Sequence, residues 1–353
     1  MKSLLRLLLK TQYGQNNSGQ AKTEKGMTLI ELLIGMVMAF LIITPMLAFV
    51  VDMLNTDRRE QVKANTEQDI QAAVDFIAQD LSQAIYIYDR AGINAINGSL
   101  NKLPAAGDAT KIPILVFWKR QQMKDALPIN PTVTETPKTC AENAQNYPNN
   151  NHPNCNDTYV LSLVAYYQIK DNNPTWCQPS SVTNCPTRIE RYEISDGVKN
   201  PSDLSYYDDS VTTSSQRKDP AFNELFTLNK PIENVTLAAG LGATRSEVLL
   251  NYIDHSALPS AQVPTGAQCQ NMLGVTAPTG AGAPTFNPDD LLLTDGSTHS
   301  FYACVDSSRD IARVTIRGNS LRRLQADANY NPNNSAFFPT ATVQVQGLGA
   351  VGR

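Results

Sequence analysis

Residues 25–34 read KGMTLIELLI, and they place a carboxylate, Glu31, inside an apolar run that extends from Met27 to Leu54. Glu31 and Thr44 are the main polar interruptions of that run. About 25 apolar residues suffice to cross a hydrocarbon core as a helix. Before the run stand Lys2, Arg6, Lys10, Lys22 and Lys25 against a single acid, Glu24. At its end and beyond, Asp52, Asp57 and Glu60 mix with Arg58 and Arg59. A clean excess of basic charge before a span predicts a cytoplasmic N-terminus and export of the chain beyond the span. A cleaved secretory signal would need a small-x-small site near the end of the run. The stretch MLAFVVDMLNTD at 46–57 offers none, and the small residue stands before the run instead, at Gly26.

Apolar residues then recur at Val62, Ile70, Ala73, Val74, Ile77, Leu81, Ala84, Ile85 and Tyr88. Gaps of three and four draw one stripe along a helix. Lys63, Glu67, Asp69, Gln71, Asp75 and Gln79 fill the other face. The reading is one helix of about 60 residues, roughly 90 Å long, bare in its first half (27–54) and amphipathic in its second (55–88). Pro45 removes a backbone donor inside the first half and predicts a kink there.

From residue 89 to 353 the composition shifts to Asn, Pro, Gly, Ser and Thr. Strand-like runs occur at 112–119, 158–169, 187–194, 299–305 and 310–317, with a last one within 337–346. Alternation in RIERYEI and ARVTIR predicts strands with one solvated face. Long polar loops separate them, at 142–157 and 277–290. The expected class is α+β, a long helix packed on a β-rich exported head. All six cysteines, Cys140, Cys155, Cys177, Cys185, Cys269 and Cys304, lie on the predicted exported side. An even count there predicts disulfides pinning loops. No C-x-x-C pair supports zinc. Six cysteines allow 15 pairings; the shortest loops would join Cys140–Cys155, Cys177–Cys185 and Cys269–Cys304.

A glycine followed by Met-Thr-Leu-Ile-Glu and a long apolar helix resembles a type IV prepilin processing site. The resemblance covers about residues 20 to 88. It implies a leader, 1–26, cut by a prepilin peptidase after Gly26, with Lys25 as the basic residue before the cut and Met27 as the N-methylated first residue of the mature chain. Glu31 then becomes the fifth mature residue. A charged carboxylate at bilayer depth costs about 2.5–3.5 kcal/mol, and the resemblance implies what compensates it: the new N-terminal amine of a neighbouring subunit. Met at position 27 where many members carry Phe, Pro45 slightly early, and a leader containing LLRLLLK are departures from the pattern. The head is far larger than those of major pilins and is most similar to minor pilins and pseudopilins, among them cyanobacterial ones linked to hormogonium polysaccharide secretion. The implied partners are the prepilin peptidase, other pilins through the N-terminal helix, an inner-membrane assembly platform, and polysaccharide as cargo.

Catalytic signatures are missing from the sequence. The histidines are His152, His255 and His299, and no nucleophile elbow, zinc-protease helix or phosphate loop occurs. GLGA at 240–243 and 347–350 reads as a turn. The acidic stretches NPDDLLLTD and DSSRD lack the oxygen-ligand spacing of a calcium loop and read as solvated. Trp118, Trp176, Tyr166 and Tyr167 could stack on sugar rings, although core packing is the commoner fate of such residues. A net charge of −4 with no basic stripe argues against nucleic acid. The expectation is therefore no catalytic residue, no cofactor and no metal, in a filament subunit serving polysaccharide export and surface motility. The alternatives are a minor component of protein secretion or DNA uptake, and, from another class, a membrane-tethered glycan-binding or hydrolytic ectodomain.

Overall fold

The computed structural model describes residues 28–97, 103, 108–129, 155–178, 185–206, 218–219, 222, 246–278, 285–326 and 328–351. Lys25, Gly26, Met27 and Cys140 lie outside these residues, as does most of the loop at 142–157. The chain divides into two compact units after Asp57. Helix α1, Leu29–Ser82, contributes its first residues to one unit and those from Arg58 onward to the other.

In the first unit every helical residue is exposed, from Leu29 at 84% to Val50 at 48%. Such a continuous apolar surface is far beyond what a soluble monomer leaves uncovered. The helix is long and apolar enough to cross a membrane. It continues through Pro45 without a break. Thr44 Oγ1 donates to the Phe40 carbonyl at 2.8 Å, one residue ahead of the carbonyl that Pro45 leaves without an N–H.

In the second unit the amphipathic stripe is realised. Thr66, Ile70, Ala73, Val74, Ile77, Asp80 and Leu81 are buried. Tyr88, Ile85 and Ala84 fit the same stripe, but α1 ends at Ser82, and Ala84–Ile87 form strand β1 instead of the helix expected through residue 88. AIYI is rich in β-branched and aromatic side chains, and pairing with β2 overrides its helical spacing. A short helix α2, Arg90–Asn97, comes next.

Two antiparallel sheets carry the rest. The first runs β1, β2 (Lys111–Pro128), β3 (Cys155–Ile169), β4 (Thr187–Ser195), β5 (Ser246–Ile253) in spatial order. The second runs β6 (Leu292–Thr294), β7 (Phe301–Asp306), β8 (Ile311–Arg317), β9 (Thr340–Gln346). Helix α3, Gly266–Leu273, precedes the second sheet, with Thr265 and Gln268 forming a capping box at its start and Gly274 ending it in the left-handed conformation. The α+β expectation holds, and one core joins Ile70–Leu81 of the helix to both sheets.

The sheets meet at two seams. At one, Ile253 bridges Gly318, and Asp254 N–H donates to the Arg317 carbonyl. At the other, the Asp310 carboxylate accepts from Ile87 N–H at 3.2 Å, and the GLGA turn at 347–350 passes over β1. A Cβ on Gly347 would lie 2.5 Å from the Ala84 carbonyl oxygen, and one on Gly349 would run into that of Ile85. Glycine here permits close backbone approach rather than a special turn.

Cys177–Cys185 and Cys269–Cys304 are disulfides, and Cys155 is also disulfide-bonded. Two readings need correction. Neither face of RIERYEI is solvated: Arg188 and Glu190 are buried on one and Arg191 nearly so on the other. The acidic stretches are solvated only in part: Asp289 is exposed, whereas three carboxylates are held by the fold. Asp310 is fully buried, Asp306 accepts from Ser308 and Arg309, and Asp295 accepts from Ser297, Thr298 and His299 of its own turn.

Candidate functional site: Glu31 and Asp80 of helix α1

Thr28 opens α1. Its carbonyl accepts from Glu31 N–H at 3.0 Å and Leu32 N–H at 3.2 Å, and its hydroxyl accepts from Glu31 N–H at 3.4 Å. Thr28-Leu-Ile-Glu31 is thus the threonine-to-glutamate spacing of a capping box, which the apolar run concealed. Glu31 sits in the first turn, where an anion complements the helix dipole. Among the described residues no cation pairs with its carboxylate, and its surroundings are Leu29, Ile30, Leu32 and Leu33, all exposed.

At the other end of the helix the situation reverses. Asp80 accepts from Lys119 Nζ at 3.1 Å, Tyr166 Oη at 2.6 Å and Arg191 Nε at 2.7 Å. Arg191 Nη2 reaches Glu193 at 2.7 Å. Lys119 Nζ lies 3.1 Å from Glu193 Oε1, near enough to pair in charge but without hydrogen-bond angles. The four charged side chains are at most 22% exposed and sum to zero. Burial alone would raise the Asp80 carboxyl; the Arg191 hydrogen bond and the charges of Lys119 and Arg191 outweigh it and hold it below the ordinary carboxylate range. Burial and the adjacent Asp80 charge push the Tyr166 hydroxyl upward.

Register explains the convergence. Lys119 stands opposite Ser162 and Tyr166 opposite Arg191, so β2, β3 and β4 present Lys119, Tyr166, Arg191 and Glu193 to the helix. Further along the helix Asp69 pairs with Arg323, and Thr66 and Ile70 pass directly over Gly318. Asp80 was not singled out by sequence, since it lies beside Leu81 at the border of the stripe.

The aromatic candidates divide. Trp118, Tyr166 and Tyr167 are core residues, and Trp118 Nε1 donates to Tyr88 Oη at 2.9 Å. Trp176 is half-buried, with the Arg188 guanidinium 5.8 Å from its ring centre. Among the described residues no group of three or more His, Cys, Asp or Glu side chains converges as a metal site. No family model matches the chain, and neither a curated protein nor a solved structure matches it.

Proposed function

We propose that the chain is a pilin-like minor subunit of a type IV pilus-like or secretion-type filament. In this reading it is cut after Gly26, methylated on Met27, and joined to its neighbours through the bare half of α1. The head then lies outside the inner membrane, with residues 1–26 on the cytoplasmic side. The observation that carries the proposal is Glu31. It heads an uncovered apolar helix, has no cation of its own among the described residues, and stands five positions after a glycine. A simple tether gains nothing from a carboxylate at that depth, which costs about 2.5–3.5 kcal/mol when charged. A subunit that meets a partner's N-terminal amine gains register and attraction. The cargo assignment, export of a polysaccharide with surface motility, rests on the subfamily resemblance alone.

N-terminal sequencing and intact mass of the membrane form test the cut; the expected mature start is Met27 with one added methyl group. Glu31→Ala should still insert, since it removes an insertion penalty, and should drop out of sheared filaments. A start near residue 50, or mutant incorporation at the wild-type level, refutes the proposal.

A further inference from the structure

The second sheet turns Ala312, Val314 and Ile316 of β8 to the core. The residues between them face the other way, where a sheet of this kind ordinarily meets water. Here part of that face is covered. Segments 258–262 and 330–338 border a half-open cavity of about 240 Å³ over its Thr315–Arg317 end. Its floor is made of cross-strand neighbours: Tyr302 stands opposite Thr315, and Arg317 opposite Thr340. Tyr330 and Phe338 form an aromatic wall, rings 5.2 Å apart and nearly perpendicular.

Three features define what would fit. First, the wall and floor bring apolar ring faces and hydrogen-bonding groups to one small space. Second, polar capacity is unused at one nitrogen of Arg317. The Arg317 guanidinium lies 5.5 Å from the Tyr330 ring centre. Its Nε and Nη2 serve Asp254, Ser256 and Thr298, which leaves Nη1 without a hydrogen bond among the described residues. Third, the site carries no net charge. Arg317 is the single charged residue in the lining, and fully buried Asp254 already neutralises it at 2.9 Å.

A carboxylate or phosphate would find no uncompensated cation. A hydrocarbon would leave Arg317 Nη1 unsatisfied in a dry site. The remaining chemistry is a neutral ring with hydroxyls at its edge and carbon–hydrogen bonds on its face. We propose that this cavity binds a single neutral sugar residue. Its carbon face packs on Tyr330 and Phe338, and its hydroxyls meet Arg317 and Thr315. The volume lies below the range of about 300–1,000 Å³ that takes drug-sized ligands, so one ring enters and any attached chain stays outside. The inference stands on the cavity alone and goes beyond filament assembly, so either can fail without the other.

The test uses the full chain in a zwitterionic, sugar-free detergent, since maltoside headgroups would compete. Saturation-transfer NMR is run with glucose, galactose and N-acetylglucosamine, and with glucuronate as the charged control. At least one neutral sugar should saturate with a millimolar dissociation constant, the scale open to about a dozen heavy atoms. Glucuronate should bind no tighter than glucose. Ser335→Trp, on the exposed rim, should abolish saturation while leaving the thermal midpoint in place. Tyr330→Ala should weaken binding about tenfold. The proposal is overturned if no neutral sugar saturates up to about 100 mM, if glucuronate binds tighter than glucose, or if folded Ser335→Trp binds like the wild type.

Discussion

Asp80→Ala removes the acceptor at the centre of the helix anchorage. Lys119 and Arg191 would then face Glu193 alone, a buried net charge of +1 in place of a neutral set. The Tyr166 hydroxyl would lose its 2.6 Å acceptor at the same time. Breaking one partner of a buried pair costs about 3–5 kcal/mol, and a buried donor left unsatisfied about 1–3 kcal/mol. Glu193 still pairs with both cations, which draws the total toward the lower end, and we expect a loss of about 3–4 kcal/mol. Urea unfolding monitored by tryptophan fluorescence reads it directly, because Trp118 adjoins Lys119 in β2. With a urea slope near 3 kcal/mol per molar, the midpoint should fall by about 1 M. Asp75→Ala, on the exposed face of the same helix, serves as the control and should stay within about 0.5 kcal/mol. A double-mutant cycle of Asp80→Ala with Arg191→Met should return a coupling above about 1 kcal/mol. A loss below about 1 kcal/mol for Asp80→Ala would place the cluster among surface ion pairs and refute the anchorage.

Opening Cys269–Cys304, whose partners lie 35 residues apart, should cost about 4 kcal/mol, and opening Cys177–Cys185, 8 apart, about 2.5 kcal/mol; stepwise reduction with chemical denaturation checks the order. The Asp295 carboxyl is held at about 2, because hydrogen bonds from Ser297, Thr298 and His299 outweigh its burial. Its folded value lies below the unfolded one of about 3.9, so its contribution is complete above that pH and is lost as pH falls toward 2. After allowance for partial exposure we expect about 1–2 kcal/mol, and Asp295→Asn should flatten acid unfolding in that window. Gly349→Ala drives a Cβ into the Ile85 carbonyl and should destabilise by about 1–3 kcal/mol, whereas Gly274→Asn at the left-handed end of α3, where a Cβ meets open space, should cost less.

The sequence made some elements plain and hid others for physical reasons. The stripe from Ile70 to Leu81 is visible because helix spacing and burial coincide there. Its false extension to Tyr88 arises because Ala84, Ile85 and Tyr88 satisfy helical spacing although β1, paired with β2, buries Ala84 and leaves Ile85 half-buried. Four of the strand-like runs match β3, β4, β7 and β8 closely, the run at 112–119 covers only the first part of β2, which continues to Pro128, and FFPTATVQVQ contains β9. SEVLLNYI forms β5 although it lacks clean alternation, and three-residue β6 is too short to announce itself. Arg188, Glu190, Arg191 and Glu193 read as solvent-facing because a sequence displays charges without displaying their partners. The cavity was hidden similarly: Tyr302, Thr315 and Arg317 mark an outward face by alternation, but the segments that border it come from elsewhere in the chain. Cys177–Cys185 and Cys269–Cys304 are two of the three pairs that short loops favoured among 15 pairings.

Glu31 and Asp80 lie on one helix, and the contrast between them is informative. Asp80 has two cations and a hydroxyl supplied by its own sheet, and the folded head needs nothing further to hold it. Glu31 has a backbone cap from Thr28 and an apolar collar. Deleting Asp80 should therefore register as lost head stability in an isolated chain. Glu31 offers no comparable contacts to lose, so its removal should leave the head's unfolding curve where it was. Any defect of Glu31→Ala must then appear only when a second molecule is present. The pair separates folding from assembly within one element: normal unfolding with failed filament entry for Glu31→Ala, against impaired unfolding for Asp80→Ala. If Glu31→Ala shifted the urea midpoint as far as Asp80→Ala, the carboxylate would belong to the fold, and the intermolecular role proposed for it would fall.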